Sequence, residues 1–161
     1  MASGIAVSSW LTNIASSSKE LQKYLYIKAK INEAGTMIEY VSAEKYKKEP
    51  GDEDDKTLTF VPENEQPRES VERLRNTLFR DDHCFYLIYN LYYGPNNLSA
   101  KFVIVRWSSD DHAKLTDKMC YSSSSDNLRA KTNPTWPTVQ CCSLDEFAYD
   151  DLLRKAGIKT I

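Results

Sequence analysis

The fold of this chain is decided by the stretch RWSSDDHAKLTDKMCYSSSSDNLRAK, residues 106–131, which combines a helix-start signal with an uneven distribution of apolar side chains. Ser109 can cap a helix whose first turn holds two aspartates, where the helix dipole favours negative charge. Arg129 and Lys131 complement the other end, and the Asn-Pro pair at 133–134 stops the helix. The stretch therefore predicts a long helix that begins after Ser109.

Apolar side chains fall on both sides of this predicted helix. At about 100° per residue, one third of the circumference forms an ordinary buried stripe. Its members are Ala113, Cys120, Tyr121, Ser124 and Leu128. Leu115 and Met119 lie on the opposite side, among polar and basic neighbours that include Lys118, Ser122, Ser123 and Arg129. A flexible Met surrounded by Lys, Arg and Ser is typical of a surface that docks a protein.

An irregular helix is the alternative interpretation of the same pattern. Leu115 and Met119 could then pack under a neighbouring loop, and Asp117, which falls on the inward stripe, favours some irregularity. The two interpretations differ in whether these apolar side chains are exposed.

The first half of the chain predicts a helix, a hairpin and a loop. A helix over Ser9–Gln22, capped by Ser8 or Ser9, follows a flexible N-terminal arm at residues 1–6. Two strands, Tyr24–Ile31 and Thr36–Val41, pair as a hairpin. The polar, acidic residues 43–67 predict a solvated loop or insertion. In that loop three lysines could bind lipid or direct nuclear import, but an ordinary charged surface is the simpler interpretation: Lys45, Lys47 and Lys48.

The second half predicts the centre of a sheet between helices. A helix over Glu69–Arg80 precedes the two central strands, Phe85–Tyr93 and Leu98–Trp107. The first of these strands is mostly apolar and aromatic, which suits burial on both faces. Thr138–Cys142 adds a short strand, and a capping box over residues 143–146 opens a final helix that ends at Gly157. One domain with a mixed sheet and packed helices is expected.

Composition excludes several classes of function. The net charge of −2 and pI near 5.7 argue against a nucleic-acid binder that uses its whole surface. No apolar run reaches the roughly 20 residues that cross a bilayer, and the N-terminus lacks a signal-peptide pattern, so a cytosolic protein is expected. The four cysteines have no metal-like spacing and predict reduced, mostly buried thiols: Cys84, Cys120, Cys141 and Cys142.

No catalytic constellation is evident in the sequence. The two histidines, His83 and His112, are not spaced for a metal, and no Gly-rich loop follows a strand to hold phosphate. His83 and Cys84 are neighbours on a predicted strand, so their side chains point to opposite faces and cannot easily share a proton. An interaction protein without metal or cofactor is favoured over an enzyme.

The chain resembles the actin-depolymerising factor/cofilin family in three segments. KMCYSSS at residues 118–124, preceded by Trp-Ser at 107–108, resembles that family's long actin-binding helix. MASGIAV at residues 1–7 resembles its N-terminal tail, and FYLIYN at residues 85–90 its central strand, where Asn90 replaces the usual Asp. The resemblance implies an α/β (α+β) fold. It would be a single domain over residues 1–161 whose mixed, mostly antiparallel sheet of five or six strands carries helices on both faces.

The resemblance also implies a function and two sets of site residues. The expected function is binding of actin monomers and promotion of filament depolymerisation, with weaker filament binding and severing. Monomer contacts would come from Ser3, Gly4, Ile5, Leu115, Lys118, Met119 and Ser123. Filament contacts would come from Lys101, Arg154 and Lys155, and Ser3 would also be a phosphorylation site.

Departures from the family pattern fall on binding positions. On the helix, Thr116 stands where a basic residue is common, so one contact is lost or Lys114 replaces it. On the filament surface, Ser99 and Ile158 stand where basic residues are common, which predicts that monomers are bound better than filaments. The alternative is a domain of this fold that sequesters monomers or binds another partner without remodelling filaments. The expected partners are actin, with phosphoinositides as a further candidate, for a cytoplasmic, cytoskeletal and monomeric protein that neither binds nucleic acid nor spans a membrane.

Overall fold

A mixed sheet with helices on both faces forms the centre of the computed structural model, which describes residues 5–158. In chain order its elements are β1 (Ala6–Val7), α1 (Ser9–Ser16), α2 (Ser18–Leu21), β2 (Tyr24–Ile31), β3 (Met37–Lys45), β4 (Leu58–Phe60), α3 (Pro67–Asn76), β5 (Cys84–Tyr93), β6 (Ser99–Ser108), α4 (Leu115–Thr132), β7 (Thr138–Cys141) and α5 (Tyr149–Lys155).

The seven strands of the described residues run in the order β1-β3-β2-β5-β6-β7, and β4 also pairs with β3. The pairs inside the sheet are antiparallel, whereas β1, β4 and β7 join in parallel at its two sides. The predicted mixed, mostly antiparallel sheet is confirmed. The short strands β1 and β4 raise the strand number above the predicted five or six.

Two cores lie on the two faces of the sheet because β5 is covered on both sides. Alternate residues of this strand enter opposite cores, as the side-chain period of two requires. Phe85, Leu87 and Tyr89 face α3 and α5, whereas Tyr86 and Ile88 face α1 and α4. This arrangement confirms the two-sided burial predicted for the central strands.

The predicted loop over residues 43–67 is wrong at both ends. Residues 43–45 complete β3, and β4 pairs with them in parallel. Pattern reasoning missed this because the buried residues there are charged. The Glu44 carboxylate is paired with Arg73 of α3, and the Lys45 ammonium lies 3.1 Å from Asp52, within the acidic run. Lys45 is therefore not part of an exposed basic cluster, since its side chain is only 10% exposed.

The N-terminal helix and arm also differ from expectation. Ser8 caps α1 as predicted, but the helix ends at Ser16 and α2 begins at Ser18, because Ser17 adopts extended backbone angles. The predicted flexible arm at residues 1–6 is wrong for Ile5, which is half-buried, and for Ala6, which belongs to β1. The Ala6 N–H donates to the Thr36 carbonyl at 2.9 Å, so the sheet edge fixes this segment.

Helices α3 and α5 are shorter than the sequence predicted. Helix α3 ends at Asn76 rather than residue 80. The predicted capping box of Ser143 and Glu146 is present, but it opens a single 3-10 turn. Phe147 follows in a non-helical conformation, because its ring stacks on Phe79 at 4.0 Å in the core, and α5 starts only at Tyr149. Gly157, with φ of 77°, ends the segment as predicted.

Candidate functional site

Helix α4 begins five residues later than its capping signal predicted, since its cap is Lys114 rather than Ser109. The Ser109 hydroxyl accepts from the His112 N–H at 3.3 Å, which closes a local turn rather than the helix. The Ser109 and Asp110 N–H groups are bound by the carbonyls of His83 and Cys142, at 2.9 and 2.8 Å. These bonds attach the turn to the sheet edge, so the chain must pass through extended angles at Lys114 before the helix can start.

The inward face of α4 is fixed by packing and by two hydrogen bonds of Tyr121. Its hydroxyl accepts from the Ile31 N–H at 3.0 Å, and its carbonyl accepts from the Tyr86 hydroxyl. Burial raises the pKa of the Tyr121 phenol well above its usual range, so the hydroxyl stays neutral. The predicted stripe is confirmed for Tyr121, Ser124 and Leu128. It is wrong for Cys120, which is half-buried, while Ser125 is an additional buried residue.

The outward face of α4 exposes its apolar side chains. Leu115 is 71% exposed and Met119 is 63% exposed, which excludes the alternative that they pack under a loop. Lys118 lies beside them, with its ammonium 3.3 Å from the Asp110 carboxylate. The Ser123 side chain is exposed, and its hydroxyl donates to the Cys120 carbonyl of the same helix at 3.1 Å. We call Leu115, Lys118, Met119 and Ser123 the docking face.

The N-terminal segment lies against α4 at one point. The Ile5 carbonyl accepts from the Asn127 side-chain amide. Together with the pairing of β1, this bond places the start of the described chain beside α4. Ser3 and Gly4, which the sequence assigned to the same site, lie outside the described residues 5–158.

A groove runs between the docking face and the neighbouring strands, with a volume of about 440 Å³. We call it the α4–β7 groove, lined on the helix side by Lys118, Met119, Ser122 and Ser123, and on the other side by Arg106, Ser108, Asp110, Gln140 and Cys142. Sequence reasoning missed Arg106 because it lies in an otherwise apolar strand. Arg106 lies two residues after Ile104, which faces the core beneath α4, and residues two apart on a strand share a face. This spacing could have placed Arg106 on the α4 side of the sheet.

The residues predicted to contact filaments lie close together, but each of their cationic groups already has a partner within the chain. The Lys101 ammonium donates to the Ala156 carbonyl at 2.8 Å, where it complements the C-terminal end of α5. Arg154 lies 2.7 Å from Asp151, and Lys155 lies 3.7 Å from Glu146. The fold thus brings the three predicted residues together, but each has a partner within this chain.

The four cysteines divide into two buried and two half-buried thiols. All four cysteines are free, and burial raises the pKa of the Cys84 thiol and raises that of Cys141 to about 12. Such thiols are protonated near neutral pH and are poor nucleophiles. Cys120 and Cys142 are only half-buried, which corrects the expectation of Cys120 on the inner face.

Across 5–158, no three His, Cys, Asp or Glu side chains cluster in a way that could hold a metal ion. Over that same range, every helix is too short or too polar to cross a membrane.

Comparisons with known proteins agree with this geometry. Residues 12–157 match the family described as cofilin/tropomyosin-type actin-binding protein. The cofilin of Kluyveromyces lactis is 29% identical over 160 residues, which cover 96% of this chain and 94% of the relative. That of Eremothecium gossypii is 33% identical over 106 residues, covering 64% of this chain and 72% of the relative. Actin depolymerization factor 2 of Plasmodium berghei superposes with a TM-score of 0.71 at 21% identity, covering 97% of this chain and 98% of that structure.

The fold is that of an actin-depolymerising-factor domain, and the match over residues 12–157 places the chain in the cofilin/ADF family of actin-binding proteins. The predicted family is confirmed, and so is the single α+β domain fold.

Proposed function

We propose that this actin-binding protein holds actin monomers through the docking face of α4 and the adjacent N-terminal segment, and that it thereby promotes filament depolymerisation and turnover. The observation that carries the proposal is the exposure of Leu115 and Met119 on a helix whose opposite face is core. Exposure of two neighbouring large apolar side chains to water is unfavourable, and a partner that binds over them removes this cost. Membership in the family supports actin as that partner.

The docking face combines the two contributions that an interface needs. Leu115 and Met119 supply apolar area at its centre, and truncation of such anchors often costs about 1 to 3 kcal/mol of binding free energy each. Lys118 supplies a positive charge at the rim. Its salt bridge with Asp110 is weak, because the Asp110 side chain is 64% exposed to water. The lysine can therefore exchange this carboxylate for one on the partner.

Filament binding through Lys101, Arg154 and Lys155 is proposed to be weaker than monomer binding. The Lys101 ammonium caps α5, and the other two cations are paired within the chain. Ser99, which replaces a basic residue of the family pattern, is exposed and neutral. Less positive charge is therefore available to attract an acidic filament surface.

The remaining parts of the proposal concern regulation and location. Phosphorylation of Ser3 would add about −1.5 to −2 charges to the N-terminal segment that is proposed to bind actin, and would weaken that binding. Phosphoinositides are proposed as a further ligand, supported by the exposed Lys47 and Lys48, whereas Lys45 is already paired. We propose a monomeric, non-enzymatic protein that acts on the actin cytoskeleton in the cytoplasm.

The proposal is tested by a double variant of the docking face, Lys118→Ala with Met119→Ala. Titration against fluorescently labelled actin monomers should show at least about a tenfold loss of affinity. The melting temperature should stay within about 2 °C, because both side chains lie off the buried face. Lys131→Ala is the control, since Lys131 is exposed in the last turn of the same helix, twelve residues after Met119.

Two outcomes would contradict the proposal. Unchanged affinity of the double variant would remove α4 from the interface, and loss of the melting transition would make these residues part of the core. Sequestering of monomers without filament remodelling, the alternative function, is tested by measuring free monomer and the rate of subunit loss from filaments. If the wild-type chain lowers free monomer without speeding the loss of subunits from filaments, it is a monomer sequesterer.

A further inference from the structure

Arg106 in the α4–β7 groove is a cation that the described fold leaves without an acidic partner. Its guanidinium donates to the Ser125 hydroxyl at 3.1 Å and to the Gln140 side-chain carbonyl, and both of these groups are neutral. No carboxylate within residues 5–158 forms an ion pair with it. Arg73, which is also half-buried, is instead held by the carboxylates of Glu44 and Glu65. The fold neutralises Arg73 with two carboxylates and leaves Arg106 with neutral partners.

The surroundings of Arg106 favour an anion. The groove contains a second cation, Lys118, and its acidic residue is Asp110, so its formal charge is positive by one unit. The exposed hydroxyls of Ser122 and Ser123 add hydrogen-bonding groups along the helix side. Asp110 does not neutralise Arg106, because its carboxylate lies 3.3 Å from the Lys118 ammonium.

The occupant of the groove must belong to whatever covers the docking face. Lys118 and Met119 line both surfaces, so a partner bound over Met119 also closes the mouth of the groove. A guanidinium has five N–H donors in a planar fork that matches a carboxylate, and the described side chains use two of them. Exclusion of water on docking would strengthen that charge pair.

We propose that the α4–β7 groove is an anion-recognition subsite in which Arg106, assisted by Lys118, binds a carboxylate side chain of the docked actin monomer. This inference rests on the proposed function, because it assigns a specific contact to the same docking surface. It adds a residue from β6 to a site that the sequence placed on α4 and the N-terminus alone. It also gives the groove a chemical preference, for an Asp or Glu side chain or a terminal carboxylate.

Substitution of Arg106 tests the charge directly. Arg106→Gln keeps a polar side chain of similar reach, and its affinity for actin monomers should fall by about tenfold or more, since hydrogen bonds to charged groups are the stronger ones. Arg106→Glu should weaken binding further. Lys131→Gln removes one positive charge from the same helix outside the groove, and its affinity should stay within about twofold of wild type. If the Arg106→Gln variant binds actin monomers as tightly as the Lys131→Gln variant does, the inference is wrong.

A second measurement uses the unaltered chain and does not depend on how the variants fold. Cys142 lines the groove, and Cys120 is a half-buried thiol that does not, so the two form an internal comparison. Alkylation by iodoacetamide, followed by mass spectrometry, should be slowed several-fold at Cys142 by saturating actin monomer and unchanged at Cys120. Equal alkylation of Cys142 with and without bound actin would show that the groove stays open and would reject the subsite.

The two proposals fail in different ways. If wild type binds no actin, the proposed function fails and the subsite fails with it. If wild type binds actin and the Lys118 and Met119 double variant does not, while Arg106→Gln binds normally, the function stands and only the subsite is wrong.

Discussion

The two faces of α4 carry the same kinds of side chain in opposite environments. Leu128 is completely buried against the sheet, whereas Leu115 on the same helix is 71% exposed. Each aliphatic group buried on folding contributes to stability, and a group left in water can contribute only to an association. The comparison shows that one helix can serve the core with one face and a partner with the other.

The second surface gives a further contrast with the docking face. Lys118 is paired with an exposed carboxylate, whereas Lys101 is half-buried and donates to the C-terminal end of α5. A cation that stabilises its own fold must give up that contact before it can contact a partner. The two surfaces therefore differ in how much of their positive charge is available to a partner.

The largest effect on stability is expected when the same change, Leu to Ala, is made on each of the two faces of α4. Leu128→Ala should lower the free energy of unfolding by about 2 to 5 kcal/mol, because it leaves a cavity in a fully buried site. Leu115→Ala should change it by less than about 0.5 kcal/mol, as is usual for an exposed position. Urea denaturation of both variants measures the difference. Equal destabilisation would mean that Leu115 packs in solution.

An intermediate effect is expected from Tyr121→Phe on the inward face. The change keeps the ring but removes the hydroxyl that accepts from the Ile31 N–H. An unsatisfied backbone donor costs about 1 to 3 kcal/mol when buried, so the free energy of unfolding should fall by about that amount. Actin affinity of the folded fraction should not change. A loss of affinity without a loss of stability would contradict the assignment of Tyr121 to the core.

The smallest effect is expected from Ser99→Arg, which adds charge to the second surface beside Lys101. Cosedimentation with filaments should increase at low salt, and the gain should fade as ionic strength rises, because the added charge is exposed and screened. Monomer affinity and melting temperature should stay at the wild-type values. Lys131→Ala, at the end of α4, controls for a general change of net charge.

Local pattern predicted much of this molecule. The period of α4 placed Tyr121 and Leu128 on one face and Leu115 and Met119 on the opposite face, because residues at helical spacing share a face. It left open whether the second pair packs under a loop, and the structure shows both side chains exposed. The aromatic run at 85–93 predicted a strand covered on both faces for the same local reason. Failures came where polar side chains are buried, as at Glu44 and Lys45, which a hydrophobic pattern assigns to solvent.

The sequence by itself determined the order of the elements, the central strands and the two faces of α4, because these follow from backbone periodicity over a few neighbouring residues. Only the tertiary structure decided where α4 starts, since the bonds of the preceding turn go to His83 and Cys142, which are distant in the chain. It also decided which cations are available. Arg106 lacks a carboxylate partner among the described residues, and Lys101 is occupied, because ion pairing depends on distances between segments that the linear sequence does not contain.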